Sequence, residues 1–237
     1  MSEKAYSTKR NSFFSYSNLI LFFTMIFLFM PLVVVTIYSF NADKGMIWTG
    51  FSLKWYKELF TASPDLWTSF LNSIVIALTS SITATALGTL ASIGIKWYEY
   101  RGKRVLSAIA ILPMILPEVI IGISMLIFFS AVNIPLGKFS IYLAHATFNL
   151  PFVFMLVTAR LDEFDYSTVE AARDLGATER QTLFKVIIPS ILPAISSSLL
   201  ISVTMSLEDF VITFFVSGPG SSTLPLYVYS SIRYGVS

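Results

Sequence analysis

Five long apolar runs dominate the chain, at about residues 19–40, 69–95, 105–132, 139–160 and 186–207. A helix needs roughly 20 apolar residues to cross a bilayer, so each run predicts a membrane-spanning helix. Polar breaks separate them: NADKGMIWTG, KWYEYRGKR, the short NIPLGK and a long charged segment at 161–185. The first run exceeds the about 7–15 apolar residues of a signal peptide, and no A-x-A-like site follows, so it predicts a retained anchor. After Asp209 only FVITFFV is apolar before the breaker SGPGSS, too short for another span. The proline pairs Pro113/Pro117 and Pro189/Pro193 predict broken or kinked helices. Ala84 and Gly88, four apart, predict close helix packing, and His145 and Asn149 share a face suited to interhelical hydrogen bonds.

Composition sharpens this picture. Of 237 residues, 55% are hydrophobic and 13% charged, against about 25% charged in soluble domains. The pattern is that of an all-α, polytopic membrane protein with one transmembrane domain over 1–237. A net charge of +2 gives no case for a nucleic-acid partner, and zero Cys with a single His excludes disulfides, thiol chemistry and multi-histidine metal sites. With the N-terminus inside, eleven of the sixteen Lys and Arg fall on the inner side, as the positive-inside rule requires. The segment 161–185 then faces the cytoplasm.

That segment is punctuated. Ser167-Thr-Val-Glu170 has the spacing of a capping box, the helix it opens meets Gly176, and Thr178-Glu-Arg-Gln181 repeats the box to start a helix leading into the last run. A short helix of this kind fits the groove of a partner protein; a membrane-surface helix or a plain connection fits the same pattern.

EAARDLGATERQTLFKVIIP resembles the EAA loop of the permease subunits of bacterial ABC importers: EAA, three residues, G, nine residues, I-x-L-P. Glu170, Ala171, Ala172, Gly176 and Pro189 match it, while Val186 and Ile188 replace its Ile and Leu. FNSIVIALTSS, LPFVFMLVTARL, SLEDFVITFFVSGP and LPLYVYSSIRYGVS extend the resemblance to the C-type permeases of the spermidine/putrescine type. The resemblance implies a type I ABC importer transmembrane fold in the bacterial inner membrane, with Glu170, Ala171, Ala172 and Gly176 coupling to an ATPase. It further implies a second permease subunit as heterodimer partner, two ATP-binding subunits carrying ATP and Mg, and an extracytoplasmic polyamine-binding protein. A sixth span is usual in that family; the chain to Ser237 has no apolar run for it.

No G-x-x-x-x-G-K-[ST], G-x-S-x-G or H-E-x-x-H is present, so no catalytic residue and no bound cofactor or metal is expected on this chain. No Lys or Arg lies within the core of any apolar run, while acidic residues do lie within or at the end of them, which favours a cationic cargo. Glu118, Glu208 and Asp209, with Ser206 nearby, are candidates for the substrate path. Glu118 also suits the first turn of a helix resumed after Pro117, and the two later acids also suit a wet interface. Among the outer aromatics, Trp55 is the candidate for a cation entrance, against an interfacial belt for Trp67. Another cationic solute, or an ion-coupled secondary transporter using Glu118 or Asp209, is the alternative; the latter should show an internal repeat, and none is visible.

Overall fold

A computed structural model describes residues 16–45 and 47–234. It is helical nearly throughout, and one isolated antiparallel bridge, Asn41–Phe51, is the sole β-pairing among the described residues. The chain divides into two units, 1–64 and 65–237.

In the first unit, α1 (Tyr16–Tyr38) is 23 residues of apolar sequence with no buried residue. A helix that is apolar all round and buries nothing within its own chain is suited to lipid or to another subunit. The loop after it is knotted around Asn41. Its amide nitrogen donates to the Gly45 and Ile47 carbonyls, and its oxygen accepts from the Thr49 amide and hydroxyl. The following helix, α2 (Lys54–Thr61), closes on the knot: the Trp55 indole donates to the Asn41 carbonyl at 2.8 Å, and Tyr56 stacks on Phe40.

The second unit is a helical bundle. Long helix α3 (Pro64–Trp97) buries a face of small and hydroxyl residues spaced three and four apart, including Ser73, Ala77, Ser80, Ala84 and Gly88. The close packing expected at Ala84 and Gly88 is present. Ala84 is fully buried, and a Cβ added at Gly88 would stand 2.7 Å from Val153 Cγ1 and 3.2 Å from the Leu150 carbonyl. That neighbour, α6 (Lys138–Asp162), is the bundle's central helix.

Between them, α4 (Lys103–Ile111), a 3-10 turn (Leu112–Met114) and α5 (Glu118–Ala131) form one apolar stretch bent by 107°. Here the expected break occurs, where Pro113 and Pro117 remove amide donors. After α6 come α7 (Ser167–Asp174), α8 (Glu179–Thr182), a π-turn (Leu183–Ile187) and α9 (Ile188–Glu208). At the second proline pair the outcome differs from expectation: 179–208 runs as one continuous apolar helix of 30 residues. Pro189 falls in the first turn of α9, where a missing amide is tolerated, and the π-turn before it absorbs the irregularity. Among the described residues, four helices are long and apolar enough to cross a membrane, or five if the bent pair counts as one span.

Two short helices follow. α10 (Val211–Val216) turns back and packs on α5 and α6, burying Ile212, Thr213 and Val216, and α11 (Leu224–Tyr234) follows it. One apolar cluster joins Ile76, Ile121, Phe129, Ile141 and Ile212; a second joins Val153, Leu161, Val169, Ile187 and Ile191.

Candidate functional site

At the punctuated segment, the second capping box forms as its spacing predicts. Thr178 Oγ1 accepts from the Gln181 amide, and the Gln181 side chain accepts from the Thr178 amide. The first does not form, which corrects the expectation for Ser167 and Glu170. Ser167 lies inside α7, and Asp165 takes the capping role: Oδ1 accepts from the Ser167 amide at 2.9 Å and Oδ2 from its hydroxyl at 2.8 Å. The carboxylate two residues upstream offers a separate oxygen to each donor. The Ser167 amide, then its hydroxyl, holds the Asp165 carboxyl below the ordinary carboxylate range.

At its other end α7 closes in a Schellman motif. The Ala177 amide donates to the Ala172 carbonyl and the Gly176 amide to that of Arg173, with Gly176 at φ +84°. Val169, 3% exposed, anchors α7 against Leu161, Ile187 and Ile191. The opposite face is open: Glu170 and Ala171 are exposed, Ala172 is partly so, and Leu175 is 89% exposed. The element is thus pinned to α6 and α9 on one side and presents an apolar knob among charges on the other.

The acidic candidates separate sharply. Asp209, buried between α9 and α10, accepts from the Thr213 amide and hydroxyl at 2.9 and 2.8 Å and from the Ile212 amide at 3.2 Å. His145 Nε2 lies 3.1 Å from the same carboxylate and 2.9 Å from the Thr213 hydroxyl; Nδ1 lies 2.6 Å from Ser206 Oγ. This network implies a proton on Nε2, donated to Asp209, with Nδ1 accepting from Ser206. Ser206 Oγ is also 3.4 Å from Ser80 Oγ, so α3, α6, α9 and α10 meet here. Ser206 and Asp209 are therefore enclosed, with their polar atoms used within the bundle. Glu208 is exposed at the end of α9, on a face that also exposes Ser197, Ile201 and Thr204. Glu118 is exposed in the first turn of α5 and makes no hydrogen bond or ion pair among the described residues. Asn149 donates to the Ser202 carbonyl at 3.2 Å, the interhelical bond its position suggests.

Trp55 stands apart, in the first unit. Lys54 and Lys44 already lie over its ring, at 4.9 and 5.5 Å from the centroid, and its indole nitrogen is committed to Asn41. Trp55 thus pins the Asn41 knot, and it also lines a cavity of about 470 Å³ together with Asp43, Lys44 and Tyr56.

The α10 return and the pairing of His145 with Asp209 are missing from the sequence reading. The i, i+4 hydroxyls Ser198, Ser202 and Ser206 were the available signal that this face of α9 is buried against polar partners.

The pattern of the family described as binding-protein-dependent transport system inner membrane component matches residues 84–236. The spermidine/putrescine transport system permease protein PotC of Haemophilus influenzae is 39% identical over 220 residues, covering 92% of this chain and 85% of that one. The putrescine transport system permease protein PotI of Escherichia coli (strain K12) is 39% identical over 218 residues, covering 89% and 77%. A chain of a bacterial alginate ABC transporter, crystallised with its alginate-bound periplasmic protein, shares the fold at TM-score 0.71 and 16% identity, covering 93% and 83%. With helices fit to span a membrane and a family pattern matched over most of its length, the chain belongs to the inner membrane components of binding-protein-dependent transport systems.

Proposed function

We propose that this subunit carries spermidine and/or putrescine inward across the bacterial inner membrane, driven by ATP hydrolysed on partner subunits. The observation that supports the substrate is the sign of the charge along α9. No Lys or Arg lies between Lys185 and Arg233, while Glu208 is exposed there beside a hydroxyl-bearing face of α9. A carboxylate with no basic counter-ion attracts ammonium groups and repels anions. Glu208 is the path residue, with Glu118 as a second candidate. Asp209 and Ser206 hold the α9–α10 corner from behind.

The coupling side follows from α7. With the N-terminus cytoplasmic, as the distribution of Lys and Arg favours, α7 faces the ATPase. Leu175, Ala171, Ala172 and Glu170 form the face docked in its groove, and Gly176 makes the turn. Val169 and the unbroken helix from Glu179 to Glu208 carry the movement to Glu208. In this reading ATP and Mg bind two partner ATPase subunits, a second permease subunit completes the path, and an extracytoplasmic polyamine-binding protein delivers the cation.

Labelled spermidine uptake into proteoliposomes holding the whole complex, with ATP inside, tests this. Glu208→Gln should cut ATP-dependent uptake while the complex stays assembled. Wild-type uptake in that variant removes Glu208 from the path. ATP-dependent import of a different cation in place of polyamines corrects the substrate and leaves the coupling intact.

A further inference from the structure

Beside α7 lies a cavity of about 320 Å³ that none of the roles above uses. Arg173 and Arg180, exposed residues, line it, with Glu179 as its acidic residue, 3.8 Å from Arg173. Trp97 and Tyr98, at the end of α3, form one wall. Ile93, Leu183 and Ile187 supply apolar lining; Ile93 belongs to α3, and Leu183 and Ile187 to the long helix 179–208. Also lining it is Thr182, 1% exposed, whose hydroxyl has no hydrogen-bond partner.

Each feature constrains the occupant. The Thr182 hydroxyl, buried behind this lining with no partner among the described residues, is a polar group that a small shift would offer to an oxygen-bearing ligand. Two guanidinium groups against one carboxylate give the cavity a positive balance, and arginine forks match phosphate oxygens in particular. Trp and Tyr at the end of a span mark the headgroup depth of the bilayer. The apolar lining suits a hydrocarbon chain, which a free phosphate does not have. We propose that this cavity binds the phosphate-bearing headgroup of an anionic phospholipid from the adjoining leaflet. Basic pockets between membrane helices commonly take such headgroups.

The cavity shares Arg173, Glu179, Trp97 and Tyr98 with a second hollow that Glu170 also lines. A headgroup there competes with Glu179 for Arg173 and braces the junction between α7 and α8. Lipid occupancy thereby sets how firmly the coupling element is held. The role in coupling rests on the reading of α7 above, whereas the binding itself does not.

The test uses the assembled complex in nanodiscs of phosphatidylcholine, alone or with a minor fraction of phosphatidylglycerol. Retained phosphatidylglycerol is counted by native mass spectrometry, and ATPase rate is followed in parallel, each variant in phosphatidylcholine serving as its own baseline. Wild type should retain the lipid through delipidation. Arg180→Gln should weaken retention by about fivefold, and Arg173→Gln with it by a similar further factor. Thr182→Val should weaken it with no change of charge, while Thr182→Ser should behave as wild type, separating loss of the site from loss of the fold. Equal retention by wild type and the double arginine variant overturns the proposal. Displacement of the lipid by inorganic phosphate at matched concentration overturns the lipid assignment in favour of a soluble anion. Protection of 179–187 from hydrogen exchange that depends on the ATPase subunits alone overturns it in favour of a protein contact. Failure of polyamine uptake leaves these readouts unaffected, so the two hypotheses fall separately.

Discussion

Adjacent acids can have opposite work, and Glu208 and Asp209 show why. Glu208 is the last residue of α9, whereas Asp209 follows it with extended backbone at ψ 123°, so the two carboxyls part at the helix end. Glu208 faces out, while Asp209 faces His145 and Thr213. Asp209→Ala strands the Ile212 and Thr213 amides and His145, at about 1–3 kcal/mol for each unpaired buried group. The expected outcome is a complex whose thermal unfolding midpoint in detergent falls clearly, with yield reduced. Glu208→Gln should leave that midpoint within the range of ordinary surface changes and act on uptake. Identical behaviour of the two variants would contradict the separation of roles. Asp165 gives a pH prediction. Its carboxyl is held below the usual range by Ser167, so its capping contribution is complete above the unfolded value of about 3.9 and is lost as pH falls through the lower folded value. Hydrogen exchange over 167–174 should therefore accelerate at the acid end, and Asp165→Ala should show the fast rate already at neutral pH. An α7 as protected in that variant as in wild type would remove Asp165 as the cap.

At the level of elements, local grammar was readable and distant pairing was not. The Thr178–Gln181 box and the Gly176 turn depend on residues within a few positions, so spacing is enough to find them. The Ser167 cap failed because a better acceptor, Asp165, lay just upstream. His145 meets Asp209 across 64 positions, and the side-chain pattern of neither helix names the other. Trp55 looked like an open aromatic face because Lys44 and Lys54 are folded over it only once the Asn41 knot forms. The elements supply their own tests. Gly176→Ala forces a Cβ into a left-handed conformation at about 1–2 kcal/mol; Gly176→Pro also removes the amide that closes the turn onto Arg173. Uptake should fall further in the second than in the first, with insertion preserved in both. Gly88→Ala drives a methyl into Val153 and should destabilise by about 1–3 kcal/mol. Combining it with Val153→Ala should return much of the loss. No recovery in the double variant would locate the strain at the Leu150 carbonyl instead.

Across the molecule, the division of labour follows packing. The second unit holds both core clusters, the polar network, Glu118 and Glu208, and it holds the whole of the matched family pattern. Its continuous helix from Glu179 to Glu208 joins the segment proposed to meet the ATPase with the carboxylate proposed to meet the cargo. Two sites at opposite ends of one rigid element need no relay of side chains between them. The first unit contrasts with this. Its long helix α1 leaves every residue exposed, and that has a consequence for how the protein is made. A helix that is apolar along its whole length has in its own sequence what it needs to enter lipid, so it can leave the ribosome and settle there as an autonomous event, ahead of the bundle. Its sequence should then be largely interchangeable. A shuffled α1 of the same composition should insert normally and leave the bundle's unfolding within about 0.5 kcal/mol. If shuffling instead loosens the assembled complex, that face of the helix is reserved for a neighbour that arrives later in biogenesis.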